Sequence, residues 1–168
     1  MCKHKKLLIL GVIFLCIAVL LFAFDVIRFP ASYPEDFSIR YEAWISSERT
    51  NILDTEEGFI QKDLVLDGTA TASFSPDPAL LKAIWKEVRR NRLTSIKGYV
   101  EGAVREPSQL YRITLTMNGK TYTVNGCDPA GSAKRDATRL YRFTQFMDEL
   151  IENLPEYQTL PKARGGYL

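Results

Sequence analysis

Cys127 lies in the stretch whose residue types come closest to a chemical motif, Gly-Cys-Asp-Pro-Ala-Gly-Ser over residues 126–132. The stretch falls between a predicted strand and a predicted helix, where a helix N-terminus and the nearby Lys134 or Arg135 would make a thiol more reactive. A phosphate-binding P-loop needs Lys and then Ser or Thr directly after its second glycine, and Lys134 comes too late for that. We interpret the stretch as a strand-to-helix turn. Cys127 is either a reactive thiol or a half-buried structural cysteine.

Arg135, Arg139 and Arg142 recur at spacings of four and three along the last predicted helix, so they share one face. The acidic stretch 148–152 follows them, an order that opposes the helix dipole and that helix stability does not explain. The arginine face is a candidate contact for anions, such as the phosphates of lipids or wall polymers. The alternative is a solvated face that pairs with carboxylates of the sheet.

The sequence lacks the residues of several other kinds of site. Its single histidine is His4, and of its three cysteines only Cys127 follows residue 28. Without a neighbouring base, neither Ser-His-Asp nor Cys-His catalysis is feasible there, and neither a histidine-based nor a four-cysteine zinc site can form. We therefore expect no enzyme activity, no metal and no cofactor.

The apolar stretch near the N-terminus predicts a transmembrane helix over 7–27. Residues 7–24 carry no charge, and a helix of that length would span roughly 27 Å, close to the thickness of a bilayer core. Basic residues stand before it, so the positive-inside rule keeps that end cytoplasmic and places the remainder outside the membrane. The predicted localisation is thus a single-pass membrane protein in contact with lipid through 7–27.

Cys16 lies within this apolar stretch and raises the question of lipidation. A lipoprotein signal places a small residue directly before the modified cysteine, but Leu15 stands there and the apolar stretch continues beyond Cys16. A cleaved secretory signal has a shorter apolar core and a small-x-small site. We interpret Cys16 as a membrane-buried side chain and leave lipidation and cleavage as alternatives.

The net charge of +2 belongs to the N-terminal segment. Lys3, Lys5, Lys6 and Arg28 supply four positive charges and Asp25 one negative charge, which leaves 18 Lys and Arg against 19 Asp and Glu elsewhere. A domain this close to neutral gives no reason to expect nucleic-acid binding.

Two groups of strands, each followed by a helix, are predicted after the apolar stretch. Alternation predicts a strand over Phe37–Ser46, and Asp67-Gly68 predicts a hairpin between 59–66 and 69–74. Asp77 and Pro78 match the N-cap and first position of a helix. A second helix is predicted from about Ser132 to Leu154, ended by Pro155. Loops are predicted over 47–58 and 98–109.

Asn118-Gly119 predicts the clearest hairpin, between 111–117 and 120–125. A two-residue turn pairs Met117 with Lys120 and Ile113 with Val124. The apolar pattern demands the same register as the turn, which strengthens both predictions.

These elements predict an α+β protein, in which a transmembrane helix precedes a two-layer domain with a mostly antiparallel sheet and two helices on one face. The predicted boundaries are a cytoplasmic basic N-terminus (1–6), the transmembrane helix (7–27), a tether (28–36), the extracytoplasmic domain (37–155) and a C-terminal tail (156–168).

The basic N-terminus, the single apolar segment, the two hairpins and the closing Leu-Pro-x-x-Arg-Gly-Gly-Tyr-Leu of 160–168 together resemble a family of small uncharacterised bacterial cell-surface proteins, membrane-anchored or lipoprotein-like. The resemblance implies no activity. We therefore expect a membrane-tethered, non-enzymatic binding module in the bacterial envelope, with an unknown protein or envelope partner. The alternatives are a thiol-dependent enzyme or redox protein using Cys127, and anion binding through Arg135, Arg139 and Arg142.

Overall fold

The structure is a computed structural model, which describes residues 9, 11–20, 32–45, 50–102, 108–128 and 130–167. Residues 9 and 11–20 are helical with exposed side chains. Pro34–Leu168 forms a compact unit separate from Met1–Tyr33.

The predicted transmembrane segment 7–27 lies only partly within the described residues. In the part that is described, no helix is both long enough and apolar enough to cross a bilayer. The rest of the segment lies outside the described residues, so the transmembrane helix stays a prediction.

Among the described residues, the folded unit contains seven strands, two longer helices, one 3₁₀ turn and one short helix. Their bounds are β1 Ser38–Trp44, β2 Asn51–Asp54, β3 Phe59–Asp63, β4 Thr69–Ser73, α1 Pro78–Arg90, a 3₁₀ turn Leu93–Ser95, β5 Tyr99–Val100, β6 Leu110–Met117, β7 Lys120–Cys127, α2 Arg135–Glu152 and α3 Pro155–Thr159.

All seven strands form one mixed sheet, in the order β4-β3-β2-β1-β6-β7-β5. Neighbouring strands run antiparallel except β5 and β7, which are parallel. The chain is therefore α+β, as predicted. β1 lies at the centre, between β2 and β6.

Helices cover one face of the sheet. Along β1, Ile39, Tyr41 and Ala43 are buried, whereas the residues between them are half-buried. Tyr41 reaches Asp148 of α2 through a hydrogen bond, and Phe37, which precedes β1, packs edge-on against Trp85 of α1 at a centroid distance of 5.1 Å. Both helices thus lie over the same side. The other side is called the open face below.

The hairpin at Asn118-Gly119 has the predicted register. Met117 pairs with Lys120 and Ile113 with Val124, and Asn118 and Gly119 both have positive φ. The helix start is also confirmed, because the side chain of Asp77 accepts a hydrogen bond from the Leu80 amide and Pro78 opens α1.

Both loop predictions were wrong in part, because strand pairing overrides local polarity. Asn51–Asp54 is a strand, with Leu53 fully buried between β1 and β3. Tyr99–Val100 is a short strand that pairs with β7 only through the tertiary fold. Residues 46–49 and 103–107 of these predicted loops lie outside the described residues.

Two predicted element ends were also wrong. β3 stops at Asp63, because Val65 has a positive φ and a longer connection leads to β4. The last helix ends at Glu152, and Pro155, predicted only as a terminator, opens the short helix α3.

Candidate functional site

The open face carries alternating charges at the centre of the sheet. Arg40 Nη1 donates to Asp54 Oδ2 at 2.7 Å, and Arg40 Nε lies 3.4 Å from Glu42 Oε1. Arg112 Nη1 lies 3.9 Å from Glu42 Oε2. The register aligns these groups, because Arg40 stands opposite Asp54 and Glu42 opposite Arg112. The result is an ion-pair network of four charged side chains across β2, β1 and β6.

Arg40 keeps its charge in this setting. Burial lowers the pKa of Arg40, but the hydrogen bond to Asp54 and the charge of Glu42 outweigh that effect and raise the pKa above its usual value. The side chain of Arg40 is 35% exposed, against 5% for Asp54. The network therefore presents a fixed cation, supported from beneath by a buried carboxylate.

Aromatic rings accompany the arginines on the same face. The Arg40 guanidinium lies 5.6 Å from the ring centroid of Phe59, and the Arg112 guanidinium lies 5.7 Å from that of Trp44. Such distances are within the range of cation–π contact. Tyr99 on β5 is 56% exposed, so aromatic surface extends to the edge of the sheet.

A polar cavity of about 250 Å³ lies beside Arg40. The Asp54 carboxylate accepts hydrogen bonds from the amides of Glu56 and Glu57 at 3.0 and 2.9 Å, and so holds the turn after β2 against the sheet. Glu56 in turn accepts a hydrogen bond from Ser38 at 3.0 Å. The cavity is lined by Ser38, Ile39, Arg40, Asp54, Glu56, Glu57, Thr114 and Thr116.

The three candidate anion-binding arginines differ in their surroundings. Arg139 donates to the backbone oxygens of Asn91 and Arg92, to Ser95 Oγ and to Asp136. Its side chain is only 14% exposed, so it joins α2 to the end of α1. Arg135 and Arg142 are exposed. The three arginines therefore do not form one exposed cluster, because the guanidinium of Arg139 is held by hydrogen bonds within the fold.

Cys127 lies at the end of β7, half-buried. Its Sγ accepts a hydrogen bond from the Gly102 amide at 3.3 Å and interacts with the Tyr99 hydroxyl. Lys134, a predicted activating cation, pairs with Glu101 at 2.8 Å. The reactive thiol stays a prediction.

Sequence reasoning found the strand that carries Arg40 and Glu42 but missed the site. The alternation over β1 showed that both face one way, whereas the partners on β2 and β6 depend on pairing that the sequence does not reveal. Within the described residues, no group of three or more His, Cys, Asp or Glu is arranged to hold a metal ion.

Comparison of the chain with known protein families and with curated proteins gives no match. The resemblance to small bacterial cell-surface proteins therefore stays a prediction.

Proposed function

We propose that this chain is a membrane-tethered, non-enzymatic interaction module that binds an extracytoplasmic protein through the open face of its sheet. The predicted transmembrane helix over 7–27 anchors the chain, residues 28–36 form the tether, and the N-terminus lies in the cytoplasm. The observation that supports the binding role is the network of Arg40, Glu42, Asp54 and Arg112, in which the two arginines are partly exposed.

The exposed part of this network adds little to the stability of the fold. Ion pairs near the surface contribute only about 0 to 1 kcal/mol each, and this applies to the contacts of Glu42 with Arg40 and Arg112. Asp54, whose side chain is 5% exposed, has the structural role of holding the turn after β2. Arginine and aromatic residues are enriched in protein interfaces and in their energetic hot spots. Arg112 stacked near Trp44 matches that composition.

Photo-crosslinking in cells tests the contact surface. A benzophenone amino acid placed at Thr114 or Thr116 reports on the open face, and the same group at exposed Lys86 of α1 serves as the matched control. We expect one shared crosslinked protein from both open-face positions, absent at Lys86 and lost when Arg112→Glu is added. Equal products from both sides of the sheet, or products that Arg112→Glu leaves unchanged, would overturn the proposal.

Protease shaving of intact, wall-stripped cells tests the tether and its orientation. We expect digestion of the folded unit and a membrane-bound remnant from Met1 to about Arg28, with Cys16 unmodified. A remnant that begins at an acylated Cys16 would instead identify a lipoprotein. Survival of the folded unit until lysis would show the opposite orientation and rule out an extracytoplasmic partner.

A further inference from the structure

A second cavity, of about 200 Å³, lies on the helix-covered side of the sheet. Side chains from β1, the start of β2, the residue before β6, the end of α2 and the short helix α3 converge on it. Its lining consists of Tyr41, Ala43, Asn51, Gln109, Asp148, Ile151, Glu152 and Tyr157. Pockets for drug-sized ligands measure about 300 to 1,000 Å³, so this cavity with its aromatic, amide and carboxylate groups suits only a smaller ligand.

The two carboxylates in this cavity stand where the fold disfavours negative charge. Asp148 and Glu152 are four residues apart on α2, so they share a face and repel each other. They also lie in the last turns of the helix, near the negative end of its dipole. Burial raises the pKa of Asp148, and the charge of Glu152 raises it further.

Few groups in the described part of the protein offset the negative charges of Asp148 and Glu152. Asp148 Oδ1 accepts a hydrogen bond of 2.7 Å from the Tyr41 hydroxyl, a neutral donor. Among the described residues, no lysine or arginine forms an ion pair with Asp148 or Glu152. Lys62 instead places its ammonium 4.4 Å from the ring centroid of Tyr157, within the range of a cation–π contact.

We infer that the cavity binds a primary ammonium group on an unbranched alkyl chain, such as a diamine or a lysine side chain carries. An ammonium offers three donors, which match the carboxylates of Asp148 and Glu152 and a tyrosine oxygen. The rings of Tyr41 and Tyr157 line the cavity and supply apolar walls for the alkyl chain. A metal ion fits less well, because no third acidic, histidine or cysteine ligand joins the pair within the described residues.

Calorimetric titration of the full-length chain in a neutral detergent tests this inference, with n-butylammonium as the probe and n-butanol as its uncharged match. We expect saturable, millimolar binding of the amine and no binding of the alcohol. Asp148→Asn and Glu152→Gln should each weaken amine binding at least about tenfold, since each removes a charge-assisted hydrogen bond. Comparing putrescine with N-acetyl-lysine amide then distinguishes a free diamine from a lysine side chain as the better ligand.

Glu149→Gln is the matched control, because it removes an exposed carboxylate next to Asp148 that does not line the cavity. It should bind the amine like the wild-type chain. Equal binding of the alcohol, no saturable heat, or an equal loss with Glu149→Gln would each overturn the inference. If Asp148→Asn does not fold, amine binding by Glu152→Gln, a change at an exposed position, tests the inference. The cavity lies across the sheet from the open face, so either proposal can fail without the other.

Discussion

Arg164 donates from Nε and Nη2 to the two carboxylate oxygens of Asp67, at 2.6 and 2.5 Å. This bidentate contact joins the C-terminal tail to the connection between β3 and β4. Backbone bonds from Arg164 to Leu64 and from Leu66 to Arg164 accompany it, and the Tyr167 hydroxyl contacts Asp63. The tail is therefore part of the folded unit, although the sequence predicted only a tail over 156–168.

Arg164→Ala should release the tail and leave the rest of the fold intact. Asp67 then loses its bidentate partner, and the backbone pairing and the Tyr167–Asp63 contact that remain are too weak to protect the chain. We expect trypsin to cleave after Lys162 several-fold faster than in the wild-type chain, with almost unchanged circular dichroism. Arg90→Ala, which removes another exposed arginine, is the control. Equal protection of Lys162 in all three chains would contradict this role.

Arg139→Ala should destabilise the protein by about 1 to 3 kcal/mol, because the part-buried acceptors of Asn91 and Ser95 after α1 lose their charged donor. Arg142→Ala, on the same helix but exposed, should change the free energy of unfolding by no more than about 0.5 kcal/mol. Urea denaturation of both variants measures the difference. Similar values for the two would show that the Arg139 contacts add little.

Gly126→Ala should destabilise the protein by about 1 to 3 kcal/mol through overpacking. A Cβ at this position would lie 2.6 Å from Leu140 Cδ2 and 2.9 Å from the backbone oxygen of Val100. Gly166 has open space around it, so Gly166→Ala should be nearly neutral. A stable Gly126→Ala variant would mean that α2 and β5 can move apart at little cost.

The sequence predicts elements well where two local signals agree. At Asn118-Gly119 the turn chemistry and the apolar alternation demand one register, and the structure has it. Asp77 and Pro78 likewise fix the start of α1. Such signals act over a few residues, so no tertiary contact is needed to interpret them.

Where pairing between distant residues determines the local structure, the sequence predicts much less of it. Asn51–Asp54 is too short and too polar in its flanks to stand out, yet β1 and β3 enclose it as a strand. The Arg40–Asp54 pair and the Tyr41–Asp148 hydrogen bond join residues 14 and 107 positions apart. Both candidate sites depend on such contacts, so the sequence reveals their residue types but not the sites themselves.

Asp36 ties the start of the folded unit to the Asn118-Gly119 turn. Hydrogen bonds from the Gly119 and Asn118 amides lower the pKa of the Asp36 carboxyl below its ordinary value of 3.8. A carboxyl whose pKa is lowered in the folded state stabilises the protein at pH values above its unfolded-state pKa. This stabilisation is lost as the pH falls through the pKa of the folded state. Thermal unfolding should show Asp36→Asn less stable than the wild-type chain near neutral pH. That gap should close in acid, and a gap that is constant with pH would exclude the carboxylate as its cause.

Asp148 should show the opposite trend. Burial raises the pKa of its carboxyl above the ordinary value of 3.8. At pH values between 3.8 and the raised pKa, the folded state therefore binds more protons than the unfolded state. Stability therefore falls as pH rises through this range and recovers on acidification. Relative to Asp148→Asn, which stays uncharged, the wild-type chain should gain stability as pH is lowered from neutral, as measured by thermal unfolding at a series of pH values.

Glu149→Gln, at an exposed position on the same helix, controls for general charge effects and should follow the wild-type profile. A difference between wild type and Asp148→Asn that is flat with pH, or that falls in acid as for Asp36→Asn, would show that Asp148 is not held in an environment that penalises its charge.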